Sequence, residues 1–262
     1  MLDNIKGNGL NSYQIKIIAI IAMLIDHIPH IFTDDDFTFF FIPFHFIGRI
    51  TAPIFFYFIA VGFRYTHDKK KYSIRLLIFA LISQIPYVLF FLKGPLFNDF
   101  NIFNLNIIFS MFFCLLTLIS IHDVKNIYLK VVLIVISALL CCFTSYGLLS
   151  IAFTVFFDLM NELNADKKQF SAGYLVLLLF SFSWNFLPAK WLLSSMSFML
   201  IFEDPLFLPG FIIFILGLIL PLKILLLDNR ELGGGKKFKF FFYIFYPAHL
   251  IILYLIKLFL NY

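Results

Sequence analysis

Lys16 and His27 stand at a spacing that suits acyl transfer. Eleven residues of α-helix give about 16 Å of rise and only ~20° of rotation, so both side chains would share one helix face. If the helix spans a membrane, Lys16 would lie at its cytoplasmic end and His27 deeper in the bilayer on the same helix face. That arrangement suits a long anionic donor such as acyl-coenzyme A, with its phosphates at the lysine and its thioester near the imidazole. A neutral imidazole can take a proton from an acceptor amine or hydroxyl as that group attacks the thioester.

Asp26, Arg49 and His249 also lie inside long apolar stretches. An ionisable side chain at membrane depth costs at least about 2.5 kcal/mol on insertion scales, which makes these residues candidates for function. Asp26 can raise the basicity of His27, but neighbouring helical positions point about 100° apart, so it can equally pair with Arg49. Arg49 can hold that carboxylate or stabilise an oxyanion. A purely structural ion pair beside a hydrogen-bonded histidine is the alternative.

The apolar stretches indicate a membrane protein. The chain has 262 residues, of which 62% are hydrophobic and 13% charged, and one soluble core cannot bury that much apolar surface. The net charge of +5 comes from short basic clusters between apolar segments, which is typical of membrane topology signals and not of a nucleic-acid surface. The three cysteines lie in apolar segments without the spacing of a zinc site, so we expect no metal.

Together these features predict a single all-α transmembrane domain over residues 1–262, with about nine transmembrane helices and no cleavable signal peptide. The segment 189–202 is short for a crossing and is predicted to be re-entrant or interfacial, although counting it as a crossing would give ten. The predicted spans are 14–32, 39–63, 73–92, 104–121, 127–143, 146–161, 170–187, 206–227 and 240–260.

Basic residues near the helix ends predict a cytoplasmic N-terminus, because that orientation keeps most of them inside. Among them, Arg64, Arg75, Lys236 and Lys237 are expected to join Lys16 in binding the phosphates of the donor. The glycine run 233–235 can cradle a phosphate through backbone amides or serve as a flexible linker.

The remaining polar residues of the apolar stretches have weaker claims to function. Asp158 can be a carboxylate that reaches up to the interface or part of a proton relay. Pro247, next to His249, can break its helix to line a cavity or merely kink it. The other histidines are expected to be solvated or interfacial, namely His30, His45, His67 and His122.

Short blocks along the whole chain resemble the TraX family, polytopic membrane proteins associated with N-terminal acetylation of pilin. That family in turn is similar to the transmembrane acyltransferases, whose first helix carries a basic residue, ten positions and then a histidine. Lys16 and His27 fit that pattern. The blocks are Met23–Ile28, Gly48–Phe55, Gly62–Thr66, Tyr72–Tyr87, Leu105–Phe109, Tyr146–Gly147 and Phe245–Leu250.

The resemblance implies an acetyltransferase of the bacterial cytoplasmic membrane with acetyl-coenzyme A as donor and His27 as its catalytic residue. The acceptor would be an amine or hydroxyl of a peptide or glycan, reached from the membrane or from its outer side. Val61, Gln84 and Val88 stand where the family leads us to expect acidic residues, so the acceptor can differ from pilin. A proton-coupled transporter and a non-catalytic membrane assembly factor are the competing functions.

Overall fold

The computed structural model describes residues 9–32, 42–91, 104–186, 216–234 and 238–260. Within these ranges the regular structure is helical apart from two isolated β-bridges, which confirms the predicted all-α class. The α-helices are α1 (Ser12–His27), α2 (Ile42–Gly48), α3 (Thr51–Tyr65), α4 (Lys69–Phe91), α5 (Ile107–Asp123), α6 (Ile127–Cys141), α7 (Gly147–Glu162), α8 (Lys167–Phe186), α9 (Ile219–Leu225) and α10 (Phe238–Phe259).

Among the residues that the structure describes, four helical segments are long and apolar enough to cross a membrane: Ser12–Ile31, Pro43–Tyr65, Lys69–Phe91 and Phe240–Phe259. Helices α5 and α6 are shorter but also apolar. Large apolar side chains point outward along α4, α6, α8 and α10, where lipid is the solvent that accommodates them. The chain is therefore a helical membrane protein, while the count of nine spans stays a prediction.

The described helices overlap eight of the predicted spans over most of their length. For the span predicted at 206–227, α9 lies in its second half, and residues 206–215 are outside the described residues. The short segment 189–202, Lys236 and Lys237 also lie outside the described residues.

The chain divides into two compact units, each formed from two separate stretches of sequence. The first unit comprises Met1–Thr51 and Ala165–Glu231, and the second comprises Ala52–Asn164 and Leu232–Tyr262. The prediction of one transmembrane domain over the whole chain stays a prediction.

In the first unit, the start of α1 is fixed by local capping and by a backbone hydrogen bond to the segment after α9. The Asn11 side chain accepts from the Gln14 N–H at 2.9 Å, and the Gln14 side chain accepts from the Asn11 N–H at 3.0 Å. Just before the helix, the Leu10 N–H donates to the Leu227 carbonyl at 2.8 Å. The entry to α1 is thereby held against the chain that follows α9.

In the described part of the predicted span 39–63, which begins at Ile42, two helices are separated by a break at Arg49 and Ile50. Pro53 lies in the first turn of α3 and has no N–H to donate to the Arg49 carbonyl, which removes one bond of a continuous helix. The Ile50 N–H instead donates to the Ile47 carbonyl at 3.1 Å, three residues back. The Arg49 N–H still donates to the His45 carbonyl at 3.1 Å, so the regular pattern of α2 ends directly after Arg49.

In the second unit, α4 packs against α5 and α10, and α5 packs against α6 and α7. Asn106 caps α5 by accepting from the Ile108 N–H at 2.9 Å, while its amide donates to the Gln84 side chain at 2.8 Å. The Gln84 amide donates in turn to the Asn104 carbonyl at 2.7 Å. A carboxylate at position 84 would have no N–H to donate to that carbonyl. The glutamine that stands where the family resemblance suggests an acid thus connects α4 to the start of α5.

Candidate functional site

Lys16 and His27 lie on one helix, as their spacing predicts, and both are partly buried. His27 is the last residue of α1, and a 3-10 helix follows from Ile28 to Ile31. Pro29 has no N–H to extend the α-helical ladder, which accounts for the change of helix type at this point. The imidazole therefore stands at the far end of α1 from the lysine.

Asp26 makes a direct hydrogen bond to His45 of α2. The Nδ1–H of His45 donates to Asp26 Oδ1 at 2.6 Å, and the two side chains are 22% and 24% exposed respectively. One turn further along α2, Gly48 makes this approach possible, because a Cβ at that position would overlap the Asp26 carboxylate. The pair is therefore built by the close packing of α1 on α2.

Asp26 precedes His27 in the chain, and its carboxylate lies against Gly48, the neighbour of Arg49. The hydrogen bond of Asp26 goes to His45, and its pairing with His27 or Arg49 stays a prediction. Gly217 borders the same place, because a Cβ there would lie 3.2 Å from the side chain of Arg49. We name Asp26, His27, His45 and Arg49 the first-unit cluster.

The role of His45 was not predicted from the sequence, which left it as an interfacial histidine. Its partner is 19 residues away on another helix, so no local motif marks the pair. A signal was nonetheless present: His45 and Gly48 are three residues apart, hence on one helix face, directly ahead of Arg49.

His249 lies in the second unit, within α10, and is 4% exposed. Its Nδ1–H donates to the Phe245 carbonyl at 2.9 Å, and its ring stacks on the Phe245 ring with centroids 4.9 Å apart. Helix α10 runs unbroken through Pro247. These two contacts of His249 lie within its own helix, and its place in catalysis stays a prediction.

Arg64 is part of a network of charges that the sequence did not predict. Its Nε donates to Asp158 Oδ1 at 2.7 Å and its terminal nitrogen to Glu162 at 3.3 Å. The Nε2–H of His122 donates to the other oxygen of Asp158 at 2.7 Å. Since Asp158 is only 4% exposed, it is a buried ion-pair partner that joins the ends of α3, α5 and α7, and it does not reach up to water.

Within the described residues, His122, Asp158 and Glu162 form a group that could hold a metal ion, with ligand atoms within 4.8 Å of one another. Arg64 donates to both carboxylates and so supplies the positive charge that a metal would bring. The group therefore fits a structural ion-pair network better than a metal centre.

The basic residues at this end of the second unit differ in their partners. Lys69 pairs with Asp123 at 2.8 Å, and Lys71 pairs with Asp68 at 3.0 Å. The hydrogen bond from the Lys71 N–H lowers the pKa of the exposed Asp68 from its ordinary value. Of the cations predicted to bind donor phosphates, Arg64 is thus already neutralised by carboxylates.

Arg75 has a different environment from Arg64. Its guanidinium carbon lies 5.3 Å from the ring centroids of both Tyr72 and Tyr243. Among the described residues, its buried Nε has no hydrogen-bond partner. The role predicted for Arg75 in binding the donor phosphates stays a prediction.

A cleft of about 380 Å³ opens in the second unit, where α4 meets the loop after α6. Its lining is uncharged and carries hydroxyl, amide and aromatic groups, so it suits a neutral polar group. The lining residues are Tyr87, Asn104, Cys142, Phe143, Thr144 and Ser145.

Comparison with known proteins gives two matches and one negative result. A protein family described as "TraX protein" matches residues 11–257. A relative from Dichelobacter nodosus, named "Probable fimbrial assembly protein FimC, serogroup H1", is 25% identical over 98% of this chain and 99% of its own length. No solved structure matches. The family match spans every residue predicted for the site, from Lys16 to His249.

Proposed function

The chain belongs to the TraX family, and on that premise we propose that it is a membrane-embedded acetyltransferase. It moves an acetyl group from cytoplasmic acetyl-coenzyme A to an amine or hydroxyl of a peptide or glycan in the membrane or at its outer face. The observation that carries the proposal is the course of α1, which holds Lys16 and His27 on one helix and places His27 next to Asp26, whose carboxylate accepts a hydrogen bond from His45 of α2.

In this proposal the donor lies along α1. Lys16 binds its phosphates at the cytoplasmic mouth. His27 contacts the thioester at the far end of the helix, while Arg49 stabilises the negative charge that develops on the carbonyl oxygen. An imidazole of the first-unit cluster takes the proton of the acceptor.

The proposed topology has nine spans and a cytoplasmic N-terminus, in a bacterial cytoplasmic membrane. The bond between Leu10 and Leu227 supports it, because two residues in contact beyond the ends of their helices lie on one side of the membrane. The chain between them must then cross an even number of times. Eight predicted spans, from 14–32 to 206–227, meet that condition, whereas a further crossing at 189–202 would break it.

The test is acetyl transfer in membrane vesicles that contain the chain and are supplied with radiolabelled acetyl-coenzyme A. We expect label in the peptide or glycan fraction with the wild-type chain and its loss in His27→Gln. His67→Gln is the matched control, because His67 is exposed in the loop between α3 and α4. Equal labelling by wild type and His27→Gln would refute the histidine mechanism.

A non-catalytic assembly factor is the second candidate function, and the name of the Dichelobacter relative favours it equally. In that case the polar residues only hold helices together, as Arg64, His122 and Asp158 do in the second unit. Vesicles of the wild-type chain would then transfer no acetyl group, while loss of the gene would still impair assembly of fimbriae.

A further inference from the structure

The hydrogen bond between Asp26 and His45 assigns a base that the sequence did not reveal. We propose that His45, oriented by Asp26, is the catalytic base that takes the proton of the acceptor. The inference rests on the proposed acetyl transfer and divides its chemistry between two histidines, with His27 at the donor thioester and His45 at the acceptor.

The direction of the hydrogen bond fixes which nitrogen can act. Because Nδ1–H of His45 donates to Asp26 Oδ1 at 2.6 Å, the neutral ring carries its lone pair on Nε2, on the opposite edge. The carboxylate also stabilises the imidazolium that forms once Nε2 has accepted a proton. A short bond of this kind holds the ring in one orientation, as a base requires.

Exposure separates His45 from His249, which is buried, whereas the side chains of His45 and His122 are exposed to a similar extent, at 22% and 27%. His45 and Asp26 are each about a quarter exposed, so a substrate group can reach the ring. In contrast, His249 is buried and hydrogen-bonds to a carbonyl of its own helix. The Nε2–H of His122 donates to Asp158, which also accepts a hydrogen bond from Arg64. His45 thus differs from His249 by its exposure and from His122 by the ring nitrogen that the carboxylate holds, which is Nδ1.

The groups around His45 belong to three elements. Asp26 and His27 come from α1, the His30 ring of the 3-10 helix lies 5.7 Å away between centroids, and Arg49 follows α2. Gly48 contributes by its lack of a side chain, since any Cβ there would displace the Asp26 carboxylate. The absence of a side chain at Gly48 thus allows Asp26 to contact His45.

The step balances as follows. Nε2 of His45 accepts the proton from the acceptor N–H or O–H while the acceptor atom bonds to the thioester carbonyl carbon. The carbon–sulfur bond breaks, and its electron pair leaves on the coenzyme A thiolate. The thiolate then takes the proton from the His45 imidazolium, which restores the neutral base.

The test compares transfer with donor binding in the full-length protein in detergent. His45→Gln should lower acetyl transfer by about 10²-fold or more, while binding of acetyl-coenzyme A changes by less than about twofold. Asp26→Asn should also lower transfer, because the amide can hold the ring but brings no charge. His67→Gln is again the control.

Added imidazole distinguishes a base from a structural residue. His45→Ala leaves room for the small molecule, so imidazole should restore part of the lost transfer. Wild-type transfer by His45→Gln, joint loss of binding and transfer, or no rescue of His45→Ala would each overturn the inference. If His27→Gln still abolishes transfer in those experiments, the proposed function survives without it. Absence of acetyl transfer by the wild-type chain would instead refute the proposed function.

Discussion

At the scale of residues, two aspartates each accept a hydrogen bond from a histidine, but we assign them different roles. Asp26 and Asp158 each accept a hydrogen bond from a histidine on another helix, at 2.6 and 2.7 Å. Asp158 also binds Arg64, which neutralises it in a buried place. Asp26 remains partly exposed. The neighbourhood of each pair, and not the pair itself, separates a structural contact from a candidate base.

Removal of Arg64 tests the structural half of that contrast. Arg64→Ala leaves the buried Asp158 without its cation, and we expect a loss of stability on the order of 3 kcal/mol. Lys70→Ala removes an exposed cation nearby in sequence and should change stability by less than about 0.5 kcal/mol. Reversible unfolding in mixed detergent measures both. Equal effects would show that the ion-pair network contributes no more than the exposed lysine does.

The sequence predicted some of the site and missed the rest for a physical reason. Lys16 and His27 were chosen as candidates because the helical period relates residues along one element, and Asp26 because it is ionisable within an apolar stretch. His45 was missed because its contact with Asp26 depends on how two helices pack. Arg64 was expected to bind a donor, but sequence alone did not reveal that Asp158 and Glu162 surround it.

At the scale of elements, close packing of α1 on α2 brings the catalytic candidates together. The apolar stretches predicted where helices lie, because length and hydropathy are local properties of the chain. The break at Arg49 was not predicted, although Pro53 four residues later is its visible cause. Hydropathy does not report the loss of one backbone donor, so the sequence predicted no break within this span, and Pro43–Tyr65 is still one candidate span.

Gly48→Ala tests the packing of these two helices. The added Cβ would collide with the Asp26 carboxylate, so we expect acetyl transfer to fall by about tenfold or more together with a lower melting temperature. Gly217→Ala meets its neighbours at 2.9 Å and beyond, and should have the smaller effect on both. A wild-type melting temperature and rate for Gly48→Ala would show that the Asp26–His45 contact does not need the glycine.

At the scale of the whole molecule, membrane topology decides which side each group serves. Cys142 is exposed in the loop after α6, whereas Cys114 and Cys141 are fully buried. Nine spans from a cytoplasmic N-terminus put Cys142 outside and Asn229, which bonds to Leu10, inside. The side of the membrane on which each of these residues lies can be measured without an activity assay.

Labelling with a membrane-impermeant maleimide tests that topology. In spheroplasts we expect the native Cys142 to react, with Cys142→Ser as the unlabelled control, because the buried cysteines are shielded. Asn229→Cys in the Cys142→Ser background should react only after the membrane is permeabilised. Labelling of both positions on one side would contradict the nine-span arrangement.

The central claim is that this chain acetylates a cell-envelope molecule through His27. Mass spectrometry of envelope peptides and glycans tests it most directly, in cells that carry the wild-type chain, His27→Gln or no copy. Acetyl transfer predicts a mass increase of about 42 Da on at least one species, present only with the wild-type chain. No increase that depends on the wild-type chain, or the same increase with His27→Gln, would contradict the claim.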